Sequence, residues 1–138
     1  MFNNTEFNNA YNLIKNNELN EANNILIKFR SSFFLHPDYL FLMSLFLVKS
    51  KRIYLAIDTA LLSLKVDNTD SVLKKHGYEN SSEELIEERY LFLISMFEKI
   101  KNSELVDILE KTMKNKNPTS FLLYLEKIMP GICLKNKL

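Results

Sequence analysis

The chain has no tryptophan, one cysteine, two glycines and three prolines among its 138 residues. With Cys133 as the single cysteine, no intrachain disulfide can form, which fits a reducing compartment. The scarcity of glycine and proline disfavours a sandwich of many short strands, because such folds need frequent turn signals. Two glycines are also too few for a loop that cradles phosphate. These absences favour a helical chain.

The sequence also lacks an excess of charge and a targeting segment. Lys plus Arg number 18 against 17 for Asp plus Glu, so the whole-chain charge gives no electrostatic basis for nucleic acid or an anionic membrane. The N-terminal residues MFNNTEFNNA lack the basic-then-apolar layout of a signal peptide. The longest apolar stretch, 39–48, is about half of a membrane span. We therefore expect a cytoplasmic protein without a membrane partner, and nucleic acid is an unlikely one.

Apolar residues at helical spacing and clear cap signals predict an all-α chain. Pro37 stands at a first helical position, and Ser81 with Glu84 three residues later forms a capping-box pattern. The less regular residues 67–82 fit either a loop or two turns of helix ended by Gly77. The predicted helices are approximately 6–17, 19–30, 37–50, 53–66, 82–100, 104–115 and 119–129.

An apolar octet occurs twice, as YLFLMSLF at 39–46 and as YLFLISMF at 90–97, with six of the eight positions identical. A shift of 34 residues extends the similarity to the first two predicted helices. Small residues then fall on small residues and large apolar residues on large ones: Ala10 on Ser44, Leu13 on Leu47, Leu19 on Ile53 and Ala22 on Ala56. A third copy begins at the second octet, and one extra residue in its turn would place Leu105 at the position of Ile53.

A period of 34 residues made of two helices and a tight turn resembles the tetratricopeptide repeat (TPR). The resemblance implies about three stacked helical hairpins, at 4–34, 37–68 and 82–116, and a C-terminal capping helix at 118–129. It also implies a single domain over 1–138, in which the octet recurs because the same layer of core is built twice. An ordinary helical bundle remains the alternative.

No arrangement of reactive side chains predicts catalysis, a metal site or a cofactor. His36-Pro37-Asp38 is similar to the tripeptide of the J-domain co-chaperones, but its apolar surroundings favour a plain helix start. His36 and His76 have no further ligand at metal-binding spacing. The acidic residues at 83–88 suit the first turns of a helix, where the dipole favours carboxylates. We therefore expect a protein that is not an enzyme.

Basic residues form four short clusters, at 49–52, 74–75, 114–116 and 135–137. Each by itself fits a solvated helix end. RNA binding would require such cations to converge with exposed aromatic rings, and the sequence alone does not test this requirement.

In the TPR family the first helix of each pair lines a concave face that binds partner proteins. The resemblance therefore implies a partner-binding face made of Phe7, Tyr11, Ile14, Lys15, Phe41, Leu45, Lys49, Phe92, Met96 and Lys99. Family members that bind the acidic tails of heat-shock chaperones use polar and basic residues at such places, so the Phe and Tyr residues here disfavour that ligand. They favour an amphipathic helix or an extended apolar segment carrying some acidic residues.

The resulting prediction is a non-catalytic protein–protein interaction module, a scaffold or adaptor subunit, for which a homodimer stays open. One alternative is a chaperone for secreted substrates of the type III secretion kind, and another is a helical RNA-binding accessory protein. A third interpretation places the Phe rings in the core, with the groove filled by the chain's own last helix.

Overall fold

The computed structural model describes residues 4–115 together with 121, 123, 124 and 127. Within these residues the chain is all-α, as predicted, with seven helices and no strand. The helices are α1 Asn4–Lys15, α2 Leu19–Phe33, α3 Pro37–Lys49, α4 Ile53–Asp67, α5 Asp70–His76, α6 Glu83–Lys99 and α7 Ser103–Asn115. Of the predicted capping helix at 118–129, only the four isolated positions are described, and each is helical.

Local signals fix several helix ends. Pro37 is the first residue of α3, and the Nδ1 atom of His36 caps that helix by accepting from the Asp38 N–H at 3.1 Å. Gly77 ends α5 in the left-handed conformation with φ 67°. The predicted capping box at the start of α6 is corrected: Ser82 is the N-cap, and its Oγ accepts from the Leu85 N–H at 3.3 Å.

The chain divides into two compact units between Ser81 and Ser82. The first unit contains α1 to α5, and the second begins where the third repeat is predicted to begin. A single domain over 1–138 stays a prediction, and each unit is described by itself.

In the first unit, α3 packs against α1, α2 and α4. The links α1–α2, α2–α3 and α3–α4 are three residues each, so consecutive helices run antiparallel and α1 runs in the same direction as α3. The four small residues that the 34-residue shift aligns are completely buried: Ala10, Ala22, Ser44 and Ala56. Short side chains at these places allow the helices to approach closely.

Polar contacts tie the helices of this unit to one another. The Tyr39 hydroxyl donates to the Leu26 carbonyl of α2 at 3.0 Å, and the Ser63 hydroxyl of α4 donates to the Pro37 carbonyl of α3 at 3.0 Å. Both contacts are buried, so each hydroxyl has a hydrogen-bond partner without water.

The segment after α5 folds back onto the same unit. The Ser81 N–H donates to the Asp67 carboxylate at 2.9 Å, and the Ser81 hydroxyl donates to the Asp38 carboxylate at 2.6 Å. The Asn80 side-chain amide donates to the Asp67 carbonyl at 2.9 Å. These bonds hold Asn80 and Ser81 against the end of α4 and the start of α3.

The second unit is built on the antiparallel pair α6 and α7. Its buried apolar residues include Leu93 and Phe97 of α6, Leu105 and Leu109 of α7, and Phe121. The Phe121 ring meets the Tyr90 ring edge to face, with centroids 6.1 Å apart.

The turns α1–α2, α3–α4 and α6–α7 have the same backbone conformation. The middle residue of each has positive φ: 61° at Asn17, 62° at Lys51 and 60° at Lys101. Its N–H donates to the carbonyl three residues earlier at 3.0–3.1 Å, and the next N–H donates to the carbonyl five residues earlier at 2.8–2.9 Å. This is the Schellman arrangement. The third turn therefore contains no extra residue, which corrects the prediction for that copy.

When the helical pairs are aligned by their common turn, the two octets do not fall on the same positions. Counted from the turn, Lys15, Lys49 and Lys99 share one position, and Phe7 and Phe41 share another with Leu91 rather than with Phe92. Burial agrees with this register at Leu40 and Tyr90, which are both 6% exposed, but not at Leu91, which is 50% exposed where Phe7 and Phe41 are buried. Ser44 is buried and Ser95 is exposed. The two octets therefore do not build the same layer of core.

Candidate functional site

The structure sorts the ten residues of the predicted partner-binding face by accessibility. Four are buried in the core: Phe7, Ile14, Phe41 and Met96. Three are half-buried (Tyr11, Leu45 and Phe92), and three are exposed (Lys15, Lys49 and Lys99). The prediction that these four residues contact a partner at the surface is corrected, because a partner would have to open the core to reach them. For the Phe7 and Phe41 rings the structure supports the alternative that they are core residues.

The accessible residues among those predicted in the first unit lie at matching positions of α1 and α3. Tyr11 and Leu45 occupy the same position in two parallel helices that pack together, and Lys15 and Lys49 follow one turn later. The Lys15 Nζ lies 4.6 Å from the centre of the Tyr11 ring, a cation–π contact. The Tyr11 ring stacks in turn on the buried Phe7 ring, with centroids 6.2 Å apart. We call Tyr11, Lys15, Leu45 and Lys49 the α1–α3 face.

The other three predicted residues, Phe92, Met96 and Lys99, belong to α6 of the second unit. By the turn register only Lys99 corresponds to residues of the α1–α3 face, namely Lys15 and Lys49. The position of Tyr11 and Leu45 is taken by Ser95 in α6. The third copy therefore does not repeat the apolar part of this face.

Exposed apolar side chains on the second helices of the pairs were missed by the sequence analysis. Among the described large apolar residues Tyr54 is the most exposed, at 71%, and its neighbour Leu55 is also exposed. Ile27 and Phe34 project from α2 and its C-terminal end. A signal was present in the sequence, because Tyr54 and Leu55 lie off the face defined by Ala56, Ile57 and Ala60.

A cluster of aromatic rings and both histidines was also missed. The Tyr78 ring lies between them, with centroids 4.9 Å from His36 and 5.2 Å from His76. Phe33 meets His36 edge to face at 5.8 Å, and Phe34 meets His76 in the same way at 5.6 Å. The Tyr78 hydroxyl donates to a carbonyl of α2, and burial raises the pKa of this phenol above its ordinary value.

This cluster fastens the segment after α5 to the end of α2. The Nδ1 of His36 already accepts the bond that caps α3, which requires this nitrogen to be unprotonated. The Nε2 of His76 is buried and meets no hydrogen-bond partner among the described residues. Across the described part of the chain, no three His, Cys, Asp or Glu residues are grouped closely enough to hold a metal ion.

No protein-family model, curated protein or solved structure matches this chain. Among the described helices, none is both long enough and apolar enough to cross a membrane.

Proposed function

We propose that the chain is a TPR-like, non-catalytic module of the cytoplasm that binds another protein through the α1–α3 face. Three observations support the repeat interpretation: the shared turn conformation, the buried small residues at a spacing of 34, and the packing of α3 on both helices of the preceding pair. A scaffold or adaptor subunit fits this arrangement, because no catalytic group is needed for it.

The observation that carries the proposal is the pairing on the α1–α3 face. Two half-buried apolar side chains, Tyr11 and Leu45, occupy the same position in two helices that pack together, and a lysine follows each of them one turn later. An apolar strip ended by two cations fits an amphipathic helix or an extended segment whose acidic residues lie at one end. The Tyr11 ring is the expected anchor, since tyrosine is frequent among the residues that dominate binding energy.

Site-specific photo-crosslinking tests this directly. A photoreactive phenylalanine analogue is placed at position 11, 45 or 27 and irradiated in the native cells. Ile27 is the control, because its side chain is exposed on α2 and lies outside the α1–α3 face. We expect the same partner protein to be crosslinked from positions 11 and 45 and not from position 27.

Charge reversal provides a second test of the same face. The double change Lys15→Glu and Lys49→Glu affects exposed side chains, so far-UV circular dichroism should stay unchanged while the crosslinked product is lost. The matched control reverses Lys74 and Lys75, two exposed lysines of α5 in the same unit. Equal crosslinking from positions 27 and 45, or loss of product in both charge variants, would contradict the proposed face.

A further inference from the structure

The α3–α4 turn carries basic residues and an aromatic residue whose exposure the sequence alone did not show. Lys49, Lys51 and Arg52 are all exposed within four residues, and the exposed Tyr54 ring follows in the first turn of α4. The whole segment 39–57 contains no acidic residue. Convergence of exposed cations with an exposed aromatic ring is the requirement for RNA binding that the basic cluster 49–52 left open.

We propose that the α3–α4 turn binds single-stranded nucleic acid, with Lys49, Lys51 and Arg52 on phosphates and the Tyr54 ring stacked on a base. Unpaired bases are favoured over a duplex because Tyr54 is largely exposed, and only an unpaired base presents a flat face on which its ring can stack. Apart from Lys49, these residues lie outside the α1–α3 face, so this proposal does not depend on the proposed protein partner.

Neighbouring charges define the limits of this site. In the α1–α2 turn, Glu18 occupies the position of Arg52, so the row of cations is not continued there. Asp58 lies one helical turn beyond Tyr54 on the same side of α4. A phosphate is therefore expected on the turn side of the ring, away from the Asp58 carboxylate.

The chain contains its own control for this site. The α6–α7 turn has the same backbone conformation and exposed lysines at the same two positions, Lys99 and Lys101. At the position of Tyr54, however, it carries Glu104. If two lysines in this turn geometry were sufficient, both turns would bind; if the ring is required, only the α3–α4 turn binds.

The test is fluorescence anisotropy of a labelled twelve-nucleotide uridine RNA with the full chain at low salt. We expect the apparent affinity to fall with salt at a log–log slope of about −2, since three phosphate contacts contribute roughly −0.7 each. Lys49→Gln with Lys51→Gln should reduce that slope by about 1.4. The same change at Lys99 and Lys101 should leave it unaltered.

Changes at the ring separate stacking from charge. Tyr54→Ala should weaken RNA binding roughly 5- to 100-fold, the range expected for the loss of one stacked base, whereas Tyr54→Phe should retain affinity because the flat ring remains. Asp58→Asn should strengthen binding, and Glu104→Tyr should create measurable binding at the α6–α7 turn.

Three results would overturn the inference. One is absence of RNA binding at low salt, and a second is equal affinity of wild type and Tyr54→Ala. The third is binding of poly-glutamate or of anionic lipid vesicles as tight as that of the RNA, since this would show a general anion surface. Circular dichroism of each variant checks that the helices are intact, so that a lost signal reports the site.

Discussion

Replacing the middle residues of the three common turns by glycine should stabilise the protein, by amounts that depend on the residue removed. Asn17, Lys51 and Lys101 all have φ near 60°, where a side chain other than glycine clashes with its own backbone. All three side chains are exposed, so little packing is lost on their removal.

The magnitude follows from two opposing effects. A non-glycine residue in the left-handed region costs about 1–2 kcal/mol, and glycine removes that strain. Glycine also loses more backbone entropy on folding, which offsets about 0.4–1 kcal/mol of the gain. We therefore expect Lys51→Gly and Lys101→Gly each to raise the free energy of unfolding by about 0.5–1 kcal/mol. Asn17→Gly should change it by less than about 0.3 kcal/mol, because asparagine tolerates this conformation.

Urea unfolding followed by far-UV circular dichroism measures these differences. The matched control is Lys28→Gly, which removes an exposed lysine from the regular part of α2 and should lower the free energy of unfolding by about 1 kcal/mol. The same substitution therefore has opposite signs in a turn and in a helix. A gain at Asn17 equal to that at Lys51, or a loss at Lys51, would refute the assignment of strain to these turns.

Three further predictions concern single side chains. Tyr39→Phe should lower the free energy of unfolding by about 0.5–1.5 kcal/mol, because the buried hydrogen bond to the Leu26 carbonyl is lost. Burial raises the pKa of Tyr39, so the neutral phenol stabilises the fold below pH ~10, and this contribution is lost as pH rises through the higher pKa of the folded state. The free energy of unfolding measured in urea should therefore fall more steeply with alkaline pH in wild type than in the Phe variant. Burial also raises the pKa of Asp58, so its charged form disfavours folding. Asp58→Asn should therefore raise the melting temperature slightly at pH 7, where the carboxylate is charged, and leave it unchanged at pH 3, where the carboxyl is neutral. His36→Ala should lower the free energy of unfolding in urea by about 1 kcal/mol, because α3 loses its cap, whereas His36→Asn should keep most of the stability because asparagine can also cap a helix. Equal losses in the two variants would exclude the capping role.

The sequence predicted the helices well where a residue has a strong local preference. Pro37 begins α3 and Gly77 ends a short helix, because one fixes φ and the other accepts positive φ at little cost. At the end of α2 no such residue is present, and the helix continues to Phe33, three residues beyond its predicted end. Helix boundaries were therefore predictable where the backbone itself demands a residue type.

The candidate sites were predictable only in part, because they depend on contacts between distant residues. The sequence marked Tyr11, Lys15, Leu45 and Lys49 through the 34-residue spacing, but it did not distinguish them from the buried Phe7 and Phe41. That distinction depends on which sides of α1 and α3 face the neighbouring helices. The aromatic–histidine cluster depends on Tyr78 being held by the bonds of the following residues to Asp67 and Asp38, which no local pattern encodes.

The repeated octet shows why similarity of apolar residues is a weaker guide to register than backbone conformation. Tyr39 lies twelve residues before the positive-φ lysine of its turn, and Tyr90 lies eleven residues before its own. A shift of one residue rotates a side chain by about 100° around the helix, so identical letters point to different surroundings. In α3 most of the octet is buried on every side, because this helix packs on three others. In α6, by contrast, Leu91 of the second octet is exposed. We therefore expect Leu91→Gln to leave the free energy of unfolding unchanged. Leu40→Gln should lower it by several kcal/mol, because it buries an unpaired amide. Equal losses of unfolding free energy in these two variants would contradict the different burial of the two leucines.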